Sequence, residues 1–240
     1  MESIKGIIIS CNKYKDRDAI INILTENQIV PVIVRSAYSK NSKYLQYTHI
    51  LLEGTFELYE GGTKYFKLRG GTDLIDYSAL IFDYDSMVCI ELIKELMVKT
   101  MSEDNIRNYY LLIRKTLMKI KETKKAFKYT LIFLAFFIRF NGYALNVDSC
   151  ARCNKNNDFI GLSYGCGSLI CESCFDYSGD IQLSKHETES LKLLFGNKYK
   201  VVDESLNEDI SLYKKLLVIL CDFLSYYNNI NIISKNMILL

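Results

Sequence analysis

Four cysteines constrain this chain more than any other feature. Cys150 and Cys153, then Cys171 and Cys174, form the pattern C-x2-C-x17-C-x2-C. Two residues between cysteines let one tight turn aim both sulfurs at a point, and a second such turn completes a tetrahedron of the kind zinc prefers. Gly161, Gly165 and Gly167, between the pairs, suit a hairpin that brings the two knuckles together. Four thiolates fill the coordination sphere and leave no place for substrate, so the expected ion is one structural Zn2+ per chain. It would stand in for the core that the mostly polar segment 148–178 cannot build. The competing readings are a site degenerated to free thiols and a redox C-x-x-C, a motif that normally occurs once, between a strand and a helix. Cys166 is expected to be a turn residue. Cys11, Cys89 and Cys221 lie in or beside apolar segments and read as packing residues.

The sequence before this module is β-like. "KGIIIS", "IVPVIVRS", "HILLEGTFELY" and "TKYFKLRG" are β-branched or alternating runs, punctuated by "SKNSK" and Gly61–Gly62. "DAIINILTEN" fits a short helix or a strand. Four or five short strands in this space predict a small barrel or sandwich. After Ser86 the period becomes helical. "DSMVCIELIKELMVKTM" reads as a helix capped by Asp85 or Ser86, and two more helices follow, broken near Glu122–Lys125 and ended by Asn141–Gly142. Ser184 and Glu187 form a capping box at the head of another helix. "DISLYKKLLVILCDFLSYY" reads as a final amphipathic helix. The expected fold class is α+β: a β-rich domain over 1–80 and a helical domain over 81–240, with the cysteine module inserted at 148–178.

Apolar residues make up 49% of the chain, enough for a sizeable core. The longest apolar stretch, Tyr129 to Phe140, is interrupted by Arg139. It falls short of the roughly 20 residues that a membrane span needs, so it reads as a buried core helix. "MESIKGIIISCNKYKD" does not read as a signal peptide. The expected setting is the cytoplasm, where thiols stay reduced and paired cysteines hold metals more often than disulfides.

Net charge is only +2, but the basic residues cluster. "VRSAYSKNSKYLQY" places Arg35, Lys40 and Lys43 among Tyr38, Tyr44 and Tyr47, with no acid nearby in sequence. Such a loop can follow phosphates while aromatic faces stack on unpaired bases; the alternative is an ordinary solvated loop. A second run, Lys99 to Lys128, holds nine basic against three acidic residues. Arg114, Lys121, Lys125 and Lys128 would share one face if a single helix continued through Glu122. That face would contact phosphates, although charge runs are most often solvated surface. No phosphate-binding glycine loop, nucleophile elbow or catalytic histidine motif is present.

With these residues in view, the chain resembles the bacterial DNA repair and recombination mediator family RecO. "KGIIISCNKYKDRDAIINILTEN" is similar to the family's opening strand, acidic turn and closing Thr25–Glu26. "SKNSKYLQYTHILLEGTFELYEG" is similar to its basic loop and long strand. "NGYALNVDSCARCN" and "GCGSLICESC" resemble the two sides of its zinc finger. The resemblance implies an N-terminal OB-fold barrel and a helical domain carrying the finger. It also implies a non-enzymatic, nucleoid-associated function. Such a protein would bind single- and double-stranded DNA, anneal complementary strands and assist RecA loading, with RecR and the C-terminal tail of single-strand-binding protein as partners. That acidic, apolar tail would need an apolar groove with a cationic rim, and Lys214 and Lys215 on the last helix are the candidates. Family loops often carry Gly-Ala-Arg where this chain has Ser36–Ala37–Tyr38, so Arg35 and Lys40 must carry more of the charge. Asn154 stands where Gly is common, and Asn tolerates a left-handed turn. The rival readings are another zinc-ribbon DNA- or RNA-binding factor and a zinc-stabilised nuclease. The nuclease reading lacks a distinct carboxylate cluster.

Overall fold

In the computed structural model, residues 2–60 and 65–239 are described, so the expected Gly61–Gly62 turn lies outside them. The chain forms two compact units, one from residues 1–90 and 101–124, the other from 91–100 and 125–240. The expected boundary after residue 80 is therefore not where the compact units divide: the segment 101–124 joins the β-rich unit.

In the first unit five strands, β1 (Glu2–Tyr14), β2 (Asp18–Leu24), β3 (Ile29–Val34), β4 (Leu52–Glu60) and β5 (Phe66–Asp76), close in the order β1-β2-β3-β5-β4. The ambiguous segment after Asp18 is thus a strand. Closure depends on the length of β1. Its first half pairs with β4 and its second half with β2, with a bulge between Ile8 and Ser10. A bulge bends a strand and raises its local twist. Gly6 lies just before it, facing Gly54 across the ladder. A Cβ on Gly6 would lie 2.5 Å from the Ile23 side chain and 2.6 Å from the Leu24 carbonyl, so the bend leaves room only for hydrogen. Ile8, Ile21, Ile23, Val32, Val34, Phe56 and Leu58 fill the interior. Pro31 sits opposite Asn22 of β2, one residue before the parallel β3–β5 pairing begins at Val32, where a missing N–H is tolerated.

The helix α1 (Tyr84–Thr100) follows. Its N-cap is Asp83, whose carboxylate accepts from the Ser86 N–H at 3.0 Å. The expected cap at Asp85 or Ser86 is corrected to Asp83, two or three residues earlier, because Asp83 is the residue still in extended conformation. α2 (Ile106–Thr123) buries Tyr109, Tyr110, Ile113, Leu117 and Ile120 and packs against β1. It ends at Lys124, a left-handed residue at φ +61°.

In the second unit α3 (Ala126–Phe140) is buried from Ala126 through Ile138, as a core helix apolar on all sides should be. No helix among the described residues is long and apolar enough to cross a membrane. α3 packs on α6 (Ile210–Asn228) and on α4 (Lys185–Gly196), and the short α5 (Tyr199–Ser205) contacts both α3 and α4. The capping box of α4 is complete: Ser184 accepts from the Glu187 N–H, and Glu187 accepts from the Ser184 N–H. A three-stranded sheet, β7 (Ser168–Cys171), β6 (Phe159–Ser163) and β8 (Ile181–Gln182), carries the cysteine module.

Candidate metal centre and nucleic-acid surface

The sulfurs of Cys150, Cys153, Cys171 and Cys174 all lie within 4.8 Å of one another. Zinc–sulfur bonds of about 2.3 Å in a tetrahedron require sulfurs about 3.8 Å apart, so the cluster fits a metal ion of this kind. Each knuckle is built by local turn chemistry. In the first, Asn154 takes φ +61° and its N–H donates to the Cys150 carbonyl at 2.8 Å; this is the left-handed turn expected of Asn. In the second, β7 delivers Cys171, and a single 3-10 turn over Glu172–Cys174 turns Cys174 back toward it. The β6–β7 hairpin between them turns through Gly167 at φ +58°. Gly161 is required for a different reason: a Cβ there would lie 2.2 Å from the Phe175 ring.

The electrostatics suit a cation. Burial opposes charge on Cys150, yet the backbone N–H groups of Cys171, Arg152 and Cys153 lower its pKa. The Ser173 hydroxyl, 3.2 Å from its sulfur, brings Cys171 down to about 6. Cys174, whose thiol is hydrogen-bonded to Cys153 and shielded from water beside Cys171, is pushed up to about 12. The cluster therefore accepts negative charge readily at first and resists further charging, unless an ion neutralises it. Cys166 is exposed and stands outside the group of four. All eight cysteines are free thiols; Cys89 and Cys221 are buried and Cys11 is half-buried.

Sequence reading missed Arg152, the second of the two residues between Cys150 and Cys153. Its guanidinium donates to both carboxylate oxygens of Asp180, at 2.6 and 2.9 Å, and to the Cys174 carbonyl at 2.5 Å. Burial works against the Asp180 charge, but Arg152 and the Asp176 N–H hold its pKa below the ordinary value. Nothing in the spacing signals this pair, because the two residues are brought together by the hairpin.

The basic candidates separate into two groups. Arg35 is not remote from acids: Asp18 of β2, nearly buried, accepts from its guanidinium at 2.7 Å and from the Ser36 N–H at 2.8 Å. The expectation of an acid-free loop is corrected here, since β2–β3 pairing delivers an acid that is distant in sequence. Lys40 and Lys43 are exposed. The Lys43 ammonium lies 5.3 Å above the Tyr44 ring. Tyr38 is 40% exposed, whereas Tyr47 is buried in the barrel core. The loop thus presents Tyr38, Lys40, Lys43 and Tyr44, while Arg35 anchors it.

The helical basic run does not form one face, because α2 stops at Thr123 and Lys124 leaves the helix. Arg114 bonds the buried Glu53 at 2.5 Å, and Tyr77 donates to the same carboxylate at 3.1 Å. Lys121 lies 5.5 Å above the Tyr77 ring. Lys125 pairs with Glu208, and Lys128 is buried and donates to the Asp203 carbonyl at 3.0 Å. On α6, Lys215 pairs at 2.6 Å with Glu187, and Lys214 lies 5.0 Å from the Phe127 ring centre.

A family profile described as "Recombination protein O C terminal" matches residues 81–227. Several proteins described as "DNA repair protein RecO" are similar over most of their length. One from Clostridium acetobutylicum is 28% identical, covering 73% of this chain and 72% of its own. One from Mycoplasma capricolum is 27% identical, covering 100% of this chain and 96% of its own. One from Clostridium perfringens is 26% identical over 85% of each chain.

Proposed function

The chain belongs to the RecO family of DNA repair proteins, and from that premise we propose that it is a recombination mediator that works by binding and not by bond chemistry. The barrel is read as an OB-type nucleic-acid module. The observation that carries this reading is the loop after β3, where Lys40 and Lys43 stand exposed beside Tyr38 and Tyr44 on a closed barrel. Cations follow the phosphates of one strand and tyrosine faces stack on its bases without regard to sequence. Binding a second strand, single or duplex, on another basic surface would raise local concentration and promote annealing. Arg114 and Lys121 are the candidates there; the buried Lys128 and the paired Lys125 fit less well.

The four cysteines hold one zinc ion, which fixes the finger and takes no part in chemistry. RecA loading, RecR binding and capture of the single-strand-binding protein tail complete the proposed role. Lys214 is placed for the tail better than Lys215, whose charge is directed to Glu187.

The deciding experiment combines two assays of the purified protein. Titration with a labelled oligonucleotide at several salt concentrations should show salt-sensitive binding. Mixing complementary strands should then show pairing faster than in buffer. Binding without accelerated pairing would reduce the protein to a zinc-ribbon binder. Strand cleavage with a divalent metal would make it a nuclease.

A further inference from the structure

The four clustered cysteines differ in what can reach them. Cys150 and Cys171 are buried and Cys174 is half-buried, while Cys153 is exposed. A solute that arrives at the cluster therefore meets the Cys153 sulfur first. That sulfur lies 3.5 Å from the sulfur of Cys171, on the other knuckle.

We propose that Cys153 is an oxidation site: it takes an oxygen from a peroxide, and Cys171 resolves the product into a disulfide that joins the two knuckles. This goes beyond the zinc reading above, which gives the thiols no chemistry. One consequence, release of the ion, rests on that reading.

The Cys153 thiolate attacks one oxygen of hydrogen peroxide. An S–O bond forms, the O–O bond breaks and hydroxide leaves, which makes a sulfenic acid. The Cys171 thiolate then attacks the Cys153 sulfur. An S–S bond forms, the S–O bond breaks and a second hydroxide leaves. Each sulfur gives up one electron and the peroxide gains two. Two protons from solvent turn the hydroxides into water. The two thiols left over do not make a zinc site, which needs four ligands.

Exposure selects Cys153, since oxidation of thiols follows access from solvent. Proximity selects Cys171. A disulfide bond is about 2.04 Å long, so closure brings the two sulfurs together by roughly 1.5 Å. Cys171 is 1% exposed and so is closed to thiols and oxidants in solution, yet it touches the one sulfur that is open to them. A partner already held at contact distance reacts ahead of one that must diffuse in.

The frame around this pair is made of hydrogen bonds and not of metal bonds. Arg152 forks onto Asp180 and donates to the Cys174 carbonyl. The Ser168 hydroxyl donates to the Ser149 carbonyl at 3.0 Å. The Asn146 N–H donates to the Gly167 carbonyl at 2.9 Å, and the Asn146 carbonyl accepts from the Leu169 N–H at 3.0 Å. These bonds tie the chain that enters the first knuckle to β7, the strand that delivers the second. Sulfurs framed in this way stay close when the ligand set is broken, and reduction of the bridge returns four thiols to one place. Cys166 is also exposed but stands outside the group of four, which makes it the control thiol.

The test uses the full chain, with its zinc content measured beforehand. It is exposed to hydrogen peroxide in slight molar excess and stopped by alkylation. Peptide mapping by mass spectrometry should find one disulfide, Cys153 to Cys171, and a chelating dye should record zinc release in step with it. Dithiothreitol should reverse the bridge, and added zinc should then be taken up again. Cys166→Ser should react as wild type does. Cys171→Ser should lose the bridge and carry Cys153 on to sulfinic acid; the mapping of the wild-type chain stands without this variant if it fails to fold. A bridge between any other two cysteines overturns the proposal. So does a cluster that stays reduced after Cys166 has been oxidised, and in that case the zinc reading survives. A chain that carries no zinc but still forms the Cys153–Cys171 bridge upholds the proposal and defeats the zinc reading.

Discussion

Arg152 bridges the two knuckles of the cysteine module: it leaves the first between Cys150 and Cys153, forks onto Asp180, and donates to the carbonyl of Cys174 in the second. The planar guanidinium suits this because it presents several donors in fixed directions. The relationship makes Arg152 a second tie between the knuckles, alongside any bound metal, and it supplies the cation for Asp180, whose side chain is 1% exposed.

Arg152→Ala should therefore lower the stability of the finger by about 1–3 kcal/mol, the cost of leaving a nearly buried carboxylate short of its charged donors. Arg152→Lys should recover only part, since an ammonium cannot fork. Chelator competition followed by cysteine alkylation measures both. Equal protection in wild type and Arg152→Ala would show the clamp to be dispensable.

Elemental analysis should find about one zinc per chain. Cys150→Ser and Cys174→Ser should each lose the ion, while Cys166→Ser keeps it. Loss of metal in Cys166→Ser with retention in Cys171→Ser would reassign the ligands.

The loop cations should separate by role. Lys40→Ala with Lys43→Ala should flatten the salt dependence of single-strand binding by about 1.4, at about 0.7 per contact. Arg35→Ala should leave that slope nearly unchanged, because Asp18 already balances its charge, but should lower the melting temperature through loss of the anchor. A large slope change in Arg35→Ala would mean that the guanidinium leaves Asp18 for phosphate.

Glu53 is buried on β4 and accepts from Arg114 of α2 and from Tyr77. Glu53→Ala removes the shared acceptor and should destabilise the β-rich unit by about 1–3 kcal/mol, a modest figure because Arg114 remains partly in water. Denaturant unfolding reads this directly. Arg114→Ala should cost a similar amount, and its effect on DNA binding at low salt tests whether the residue also reaches phosphate.

Glu95 gives a pH dependence with a defined sign. Burial opposes its charge, but Lys99, the Ser234 hydroxyl and the N–H groups of Ile233 and Ser234 bring its pKa down to about 2. A carboxylate depressed on folding contributes stability above its unfolded pKa of about 4.3, lost as pH falls through the folded value. The protection of the amides at residues 231–237, measured relative to their intrinsic exchange rate at each pH, should thus be high at neutral pH and fall as pH drops from about 4 to 2. Glu95→Gln should show fast exchange there at pH 7. Slow exchange in that variant would mean that packing alone holds the segment.

Much of this protein is written locally in its sequence. The four-cysteine spacing determined the sulfur cluster, because a C-x2-C turn converges its own sulfurs wherever it is placed. The Ser184–Glu187 capping box, the break after Thr123 and the all-round apolar α3 were legible because each depends on residues within one or two turns. What the tertiary structure decided is which charges remain available. Arg35, Arg114, Lys125 and Lys128 look alike in sequence to Lys40 and Lys43. Yet Asp18, Glu53, Glu208 and the Asp203 carbonyl reach them from positions distant in sequence. The closure of β1 onto β4 as well as β2, the parallel β3–β5 pairing and the Arg152–Asp180 clamp were hidden for the same reason. A pairing between distant segments depends on which backbone lies opposite. Local periodicity sets the face a residue presents, and only the folded chain sets what meets it.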